Sequence, residues 1–237
     1  MQSEETKETD IVDYHVIHLR NSRNSQLKHE NILENEKLLG QPINIYDANN
    51  GKDVVAGINY PDEDFKFEFK YSYIGEVGCY ISHLLLIKSF TQSRYKYSVI
   101  FEDDFEILHD NLHQEILDIL LNKLNDKDFD ILYLGNTNNH HHQQVIDNIY
   151  TINVKDILWG THAFLVNLQN AEKVYKSLLH VNAPIDIKLK DNINKGMIQA
   201  YVIYPILVDQ NTDKLKSDIR PCAFISARKK EKKRKNK

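Results

Sequence analysis

Three acids stand in a row directly after an apolar run: Val99-Ile100-Phe101 leads into Glu102-Asp103-Asp104. As pure structure this is a poor choice, because like charges repel and carboxylates are costly to bring near a core. A divalent cation removes that cost. Magnesium and manganese favour hard oxygen ligands, commonly one or two carboxylates completed by substrate phosphates. In open α/β sheets, ligands gather at the carboxyl ends of strands, which is where this run of acids would lie. The plain alternative is an acidic turn or a helix cap. A second eye-catching group, His140-His141-His142, is a weaker metal candidate, because consecutive side chains rarely converge on one ion and the flanking Asn and Gln point to a solvated loop.

The elements needed to position the acids can be read around them. Tyr14 to Leu19 is dense in β-branched, aromatic and aliphatic residues and predicts a buried strand. Ser25 to Leu39 predicts a helix closed by Gly40. Ile43 to Tyr46 reads as a second strand, and Asp47 to Tyr73 as irregular. Gly75 to Phe90 has helical spacing of apolar residues. Ser98 to Phe101 is a short strand, Leu112 to Leu124 an amphipathic helix, Asp130 to Leu134 a strand and Asn136 to Asn148 a polar loop. Thr161 to Val166 is a strand, followed by a helix capped by Asn167. Tyr201 to Val208 is the last strand. Strands alternating with helices predict one α/β domain with a mostly parallel sheet covered on both faces.

Composition sets the outer limits. The 237 residues suffice for one domain with a real core, and 41% hydrophobic with 27% charged residues is ordinary for a globular chain. We expect a flexible stretch at 1–12, the domain at 13–225 and a basic, disordered tail at 226–237. That tail holds eight Lys or Arg against one Glu, while the whole chain has a formal net charge of −4, so the body is acidic. Such a tail is either a solvated end or a tether to an anionic membrane surface; it lacks aromatics to stack on bases, so a specific nucleic-acid partner is not expected. No apolar run reaches the length of a membrane helix, and Met1 to Asp10 is too polar for a secretory signal. The two cysteines, Cys79 and Cys222, are not in a metal-type spacing, and a reduced cytoplasmic setting is the simplest reading.

Six blocks, in order over about residues 14 to 220, resemble glycosyltransferase family 25, which includes lipopolysaccharide glycosyltransferases and the collagen galactosyltransferase group. Gly75-Glu76-Val77-Gly78-Cys79-Tyr80-Ile81-Ser82-His83 is similar to its GEIGCFLSH block, and Ser98 to Asp104 to its LILEDD block. Asp130 to Gly135 resembles DILYLG, Gly160 to Val166 resembles GTYAYLIS, Pro184-Ile185-Asp186 resembles PVD, and Pro205 through Ser217-Asp218-Ile219 resembles the closing segment. The resemblance implies a GT-A-like, Rossmann-type fold, a UDP-sugar donor, a divalent metal (manganese or magnesium) and transfer of a hexose, galactose or glucose, with inversion to a glycan or hydroxylated side chain.

The resemblance also implies roles for residues. Glu102-Asp103-Asp104 becomes the metal and donor motif, with Asp104 as ligand, Asp103 as second ligand or donor contact, and Glu102 on the donor side. Glu76, Ser82 and His83 are donor-site candidates, although Glu76 at a helix start equally serves as a cap. Asp186 is the candidate base for the acceptor hydroxyl, against the simpler role of a helix cap. Asp209, Ser217 and Asp218 are further metal or diphosphate candidates, and Trp159 offers a stacking face to a sugar or a core side chain. One departure stands out: where the family shows an Asp-Arg pair after the first strand (NLxRSxDR), this chain has Asn24 and Ser25, leaving Arg20 or Arg23 to compensate. A catalytically inactive binding module is therefore the competing class. A magnesium-dependent phosphatase or nuclease lacks a second acidic cluster of clear spacing.

Overall fold

A computed structural model describes residues 11–22, 24–57, 64–68, 70, 73–136, 143–152 and 160–219. Arg23, His140 to His142, Trp159, Cys222 and the basic tail lie outside these, as does most of the 1–12 stretch. An eight-stranded sheet forms the centre. Its order is β2 (Asn44–Asp47), β1 (Val12–His18), β4 (Tyr97–Glu102), β9 (Ala163–Asn167), β6 (Ile131–Tyr133), β11 (Ala200–Ile203), β8 (Ile149–Thr151) and β7 (Gln144–Ile146). Neighbouring pairs β1–β2, β1–β4 and β6–β11 are parallel, whereas β9 and β8 run against their neighbours, so six of these strands share one direction. Two small ladders complete the strands: β3 (Lys66–Phe67) with β10 (His180–Val181), and β5 (Phe105–Ile107) with β12 (Val208–Gln210).

The strands of the sheet centre are buried on both faces, and period-two alternation divides their side chains between two cores. Val99, Phe101, Leu132 and Leu165 face one side, under α1 (Ser25–Leu39) and α4 (Leu112–Asp118), where they meet Ile32 and Ile116. Ile100, Ile131, Phe164 and Val166 face the other, under α3 (Ile74–Phe90), α5 (Ala171–Ser177) and α6 (Ile185–Asn194), where they meet Leu84, Val174 and Leu189. The helix α3 is apolar nearly all round because it is packed all round. Its start lies against α2 (Gly51–Val55), and only glycine permits the approach: a Cβ on Gly78 would stand 2.5 Å from the Asn49 carbonyl, and one on Gly51 1.9 Å from the Ile74 carbonyl.

Several sequence expectations shift at the edges. The helix from Leu112 changes at Ile119 into a π-helical turn that ends at Lys123. The final strand divides: Tyr204-Pro205, in cis, breaks it, and Val208–Gln210 leaves the main sheet to pair with β5. The polar loop after Gly135 contains a hairpin, β7 with β8, and the irregular stretch after Asp47 contains α2 and β3. Asn167 does act as a cap, but of a short 3-10 turn that precedes α5. No helix among the described residues is long and apolar enough to cross a membrane.

The first helix carries a buried polar stripe. Lys28, Asn31 and Asn35 recur at helical spacing and all point inward. Asn31 Nδ2 donates to the Phe105 carbonyl at 2.8 Å; Asn35 Nδ2 donates to the same carbonyl at 3.3 Å, and its Oδ1 accepts from the Ile107 amide at 2.8 Å. Side-chain amides thus pair the backbone of β5 on the edge away from β12, which fixes the chain just past the acids. Asn35→Ala leaves the buried Ile107 amide without this partner, the Phe105 carbonyl keeping Asn31, and is expected to lower unfolding free energy by about 1–3 kcal/mol in a denaturant titration. A change within the fitting error would show that this clamp is not needed.

Candidate active site

The carboxyl ends of β1 and β4 lie side by side, with His18 and Glu102 as their last residues. The three successive acids have three different environments. Glu102 Oε1 accepts hydrogen bonds from Thr161 Oγ1 at 2.5 Å and His83 Nε2 at 3.1 Å, and Cys79 Sγ lies 3.9 Å away. Burial alone would raise its pKa; the His83 and Thr161 hydrogen bonds and the neighbouring imidazoles reverse this and hold the carboxyl below the usual range.

Asp103 is clamped. Its Oδ2 accepts from His18 Nδ1 at 2.9 Å and from the Leu19 amide at 3.3 Å, and its Oδ1 accepts from Lys28 Nζ at 2.6 Å. Ser25 Oγ lies 3.2 Å from the other nitrogen of His18 and so orients the ring. Lys28 is 4% exposed, and its ammonium also donates to Asp218 at 2.7 Å. Burial would push this lysine towards neutrality, but the two carboxylates outweigh it and raise its pKa.

Asp104 is left the least compensated. Among the described residues its carboxylate accepts one long hydrogen bond, from Gln210 Nε2 at 3.4 Å, while its carbonyl accepts from the Asn211 amide. Burial first, then the charge of Glu102, lift its pKa to about 7. Asp186 belongs to the same electrostatic group: burial raises its pKa, the Ile187 amide opposes this, and Glu102 adds to the rise. Pro184 caps α6 and Asp186 sits in the first turn, its Oδ1 accepting from the Ile187 amide at 2.8 Å. Asp186 also acts electrostatically on Cys79 and Tyr133, raising the pKa of each after burial has done so.

Other candidates are engaged in building the surroundings. Ser82 is fully buried; its Oγ donates to the Gly78 carbonyl and accepts from the Asn49 amide, both at 2.7 Å. Glu76 accepts from the Tyr73 amide at 3.3 Å, closing the start of α3. Arg20 is exposed and pairs with Asp47 at the rim of an open groove lined by His18, Arg20, Ser25, Gln26, His29 and Ile45. Asp209 is exposed on β12 opposite Glu106, and Ser217 Oγ accepts from the Ile219 amide. Asp218 lies in a segment that crosses the start of α3 so closely that a Cβ on Gly75 would stand 2.8 Å from the Ile219 Cα. Lys28, His18 and Thr161 are site-building residues that sequence reasoning missed. The only hint was a lysine on the same helical stripe as Asn31 and Asn35.

Asp104 has a thermodynamic signature. Its pKa is higher in the folded chain than in the unfolded one, so the folded state binds more protons between about pH 4 and 7, and this group's contribution to stability falls as pH rises through that window. Without divalent metal, Asp104→Asn is therefore expected to melt at a higher temperature than the unaltered chain at pH 8, with the difference shrinking at pH 5. Equal differences at both pH values would remove Asp104 as the strained acid.

The chain is 29% and 30% identical to procollagen galactosyltransferases 1-A and 1-B of Xenopus laevis, in each case over 133 residues that make up 54% of this chain and 21% of the relative. It thus spans about a fifth of the length of these relatives. Two solved structures are similar at a coarser level. One is a glycosyltransferase involved in glycosylation of the major capsid of PBCV-1, with a TM-score of 0.47 and 9% identity over 82% of each chain. The other is a mutant Drosophila β-1,4-galactosyltransferase 7 in complex with manganese, UDP-Gal and xylobiose, with a TM-score of 0.44 and 14% identity over 90% of this chain and 76% of that one. The model of glycosyltransferase family 25 (LPS biosynthesis protein) matches residues 13–189, which cover most of the chain and include Glu102, Asp103, Asp104 and Asp186 but not Asp209 or Asp218, and the chain belongs to that family.

Proposed function

We propose that the chain transfers a hexose, galactose or glucose, from a UDP-sugar to a hydroxyl of a glycan or hydroxylated side chain, with a divalent metal and with inversion. The observation that carries this reading is the unequal compensation of Glu102, Asp103 and Asp104, which leaves one buried carboxylate, Asp104, raised to about pKa 7 at the carboxyl end of the sheet. A hard cation fits that environment: the donors are carboxylate oxygens, and a positive charge relieves the repulsion that holds Asp104 up. Asp104 is the proposed ligand. Asp103 is its neighbour, already held by Lys28 and His18. When bound, manganese or magnesium would stabilise the charge of the departing diphosphate.

The chain's own residues supply the rest. The groove at the ends of β1 and β2, lined by His18, Arg20 and Ser25 among others, is the proposed seat of the nucleoside. Asp186 stands in the first turn of α6 within the field of Glu102, rigidly held by the Ile187 amide. Its carboxylate takes the proton of the acceptor hydroxyl while that oxygen bonds to the anomeric carbon and the bond to the diphosphate breaks. Because the pKa of Asp186 is raised, the base is lost as pH falls, and kcat/KM falls with it. The competing reading, a fold kept for binding alone, is favoured by Asn24 and Ser25 in place of the family's Asp-Arg pair.

Calorimetry with UDP, with and without manganese, separates the two readings: binding only with metal supports the enzyme, and no binding in either condition favours the inactive module. Asp186→Asn is expected to bind donor normally and to transfer roughly 10²-fold more slowly, whereas Asp104→Asn loses metal-dependent binding. Normal transfer by Asp186→Asn would make Asp186 a helix-start residue only.

A further inference from the structure

The helix α3 places Cys79 and His83 one turn apart, on one face, opposite the end of β4. There the Cys79 sulfur, a His83 ring nitrogen and a Glu102 carboxylate oxygen all lie within 4.8 Å of one another. Two of the separations are 3.1 Å, from His83 Nε2 to Glu102 Oε1, and 3.9 Å, from Cys79 Sγ to the same oxygen. Zinc binds sulfur at about 2.3 Å and nitrogen or oxygen at about 2.0–2.2 Å in a tetrahedron, so its ligands stand roughly 3.3–3.6 Å apart. The separations of 3.1 and 3.9 Å bracket that range.

We propose that Cys79, His83 and Glu102 form a binding site for a soft divalent cation, zinc above all, distinct from the hard-cation position at Asp104. The donor set separates the two. A thiolate with an imidazole and one carboxylate selects zinc and cobalt over manganese and magnesium, which prefer oxygen. Three protein ligands leave the fourth position to water, the pattern of an exchangeable rather than a sealed zinc site. Burial first, then the charges of Glu102, Asp186, Asp104 and Asp103, hold the Cys79 thiol protonated in the metal-free chain, while the same four carboxylates attract a cation to its sulfur. Binding releases the thiol proton to solvent and leaves the sulfur as a thiolate on the ion; His83 gives up its Nε2–H hydrogen bond to Glu102 and changes tautomer, its ring proton now on Nδ1, so that the bare Nε2 takes the metal. The inference does not depend on the sugar-transfer reading.

Cobalt makes the site visible. Titrating the metal-free full chain with cobalt is expected to raise a near-ultraviolet thiolate-to-cobalt charge-transfer band that zinc abolishes and manganese does not. Cys79→Ser is expected to lose the band, Cys222→Ser to keep it, and His83→Gln to weaken zinc binding by at least about tenfold. In the unaltered chain, zinc is expected to protect Cys79 from iodoacetamide, read by peptide mass spectrometry, while Cys222 labels as before. A folded chain that shows no band, a band that survives Cys79→Ser or vanishes in Cys222→Ser, or equal labelling of Cys79 with and without zinc would each overturn the proposal.

Discussion

Bringing several carboxylates to one end of a buried sheet is the constraint around which this molecule is arranged. At the ends of β4 and α6, water cannot neutralise their repulsion fully, so each acid needs its own counterweight. Glu102 has hydrogen bonds from Thr161 and His83, and Asp103 has a buried ammonium and an imidazole. These partners come from α1, α3, the end of β1 and the turn just before β9. The elements around the site are thus tied to it by charge as well as by apolar packing.

The arrangement divides labour among neighbours of like type. Asp103 is spent on architecture, joining β1, α1 and the turn after β4. Asp104, one residue on, accepts a single long hydrogen bond at its carboxylate among the described residues. Burial cost is thereby paid for at one carboxylate and left open at the next, which is how a stable fold carries a reactive position. The Asn31 and Asn35 clamp on β5 holds the backbone immediately after Asp104, so the under-compensated acid does not relax away from its neighbours.

Much of this was legible in the chain itself. The apolar run into Glu102-Asp103-Asp104 marked the site, because an alternating, doubly buried strand cannot continue through three acids. The strand and helix order followed from periodicity, with α1 bounded as expected from Ser25 to Leu39. What escaped was long-range. Lys28 reads as a surface residue on a polar helix, since its partners lie 75 and 190 positions away. The reversal of β9 between two parallel neighbours is a matter of topology, and no local pattern records it. The division of Tyr201 to Val208 escaped because both halves carry the same apolar composition, although Val208 pairs with β5 rather than with the main sheet.

The Lys28–Asp218 contact joins a residue to one made 190 positions later. On a ribosome, β1, α1 and β4 emerge before Asp218, so Lys28 and Asp103 are both present while half of the lysine's eventual counter-charge is still unsynthesised. The segment that crosses Gly75 arrives only after the whole sheet has been translated. Until that segment is added, Lys28 lacks its Asp218 partner and the start of α3 lacks the backbone that crosses it.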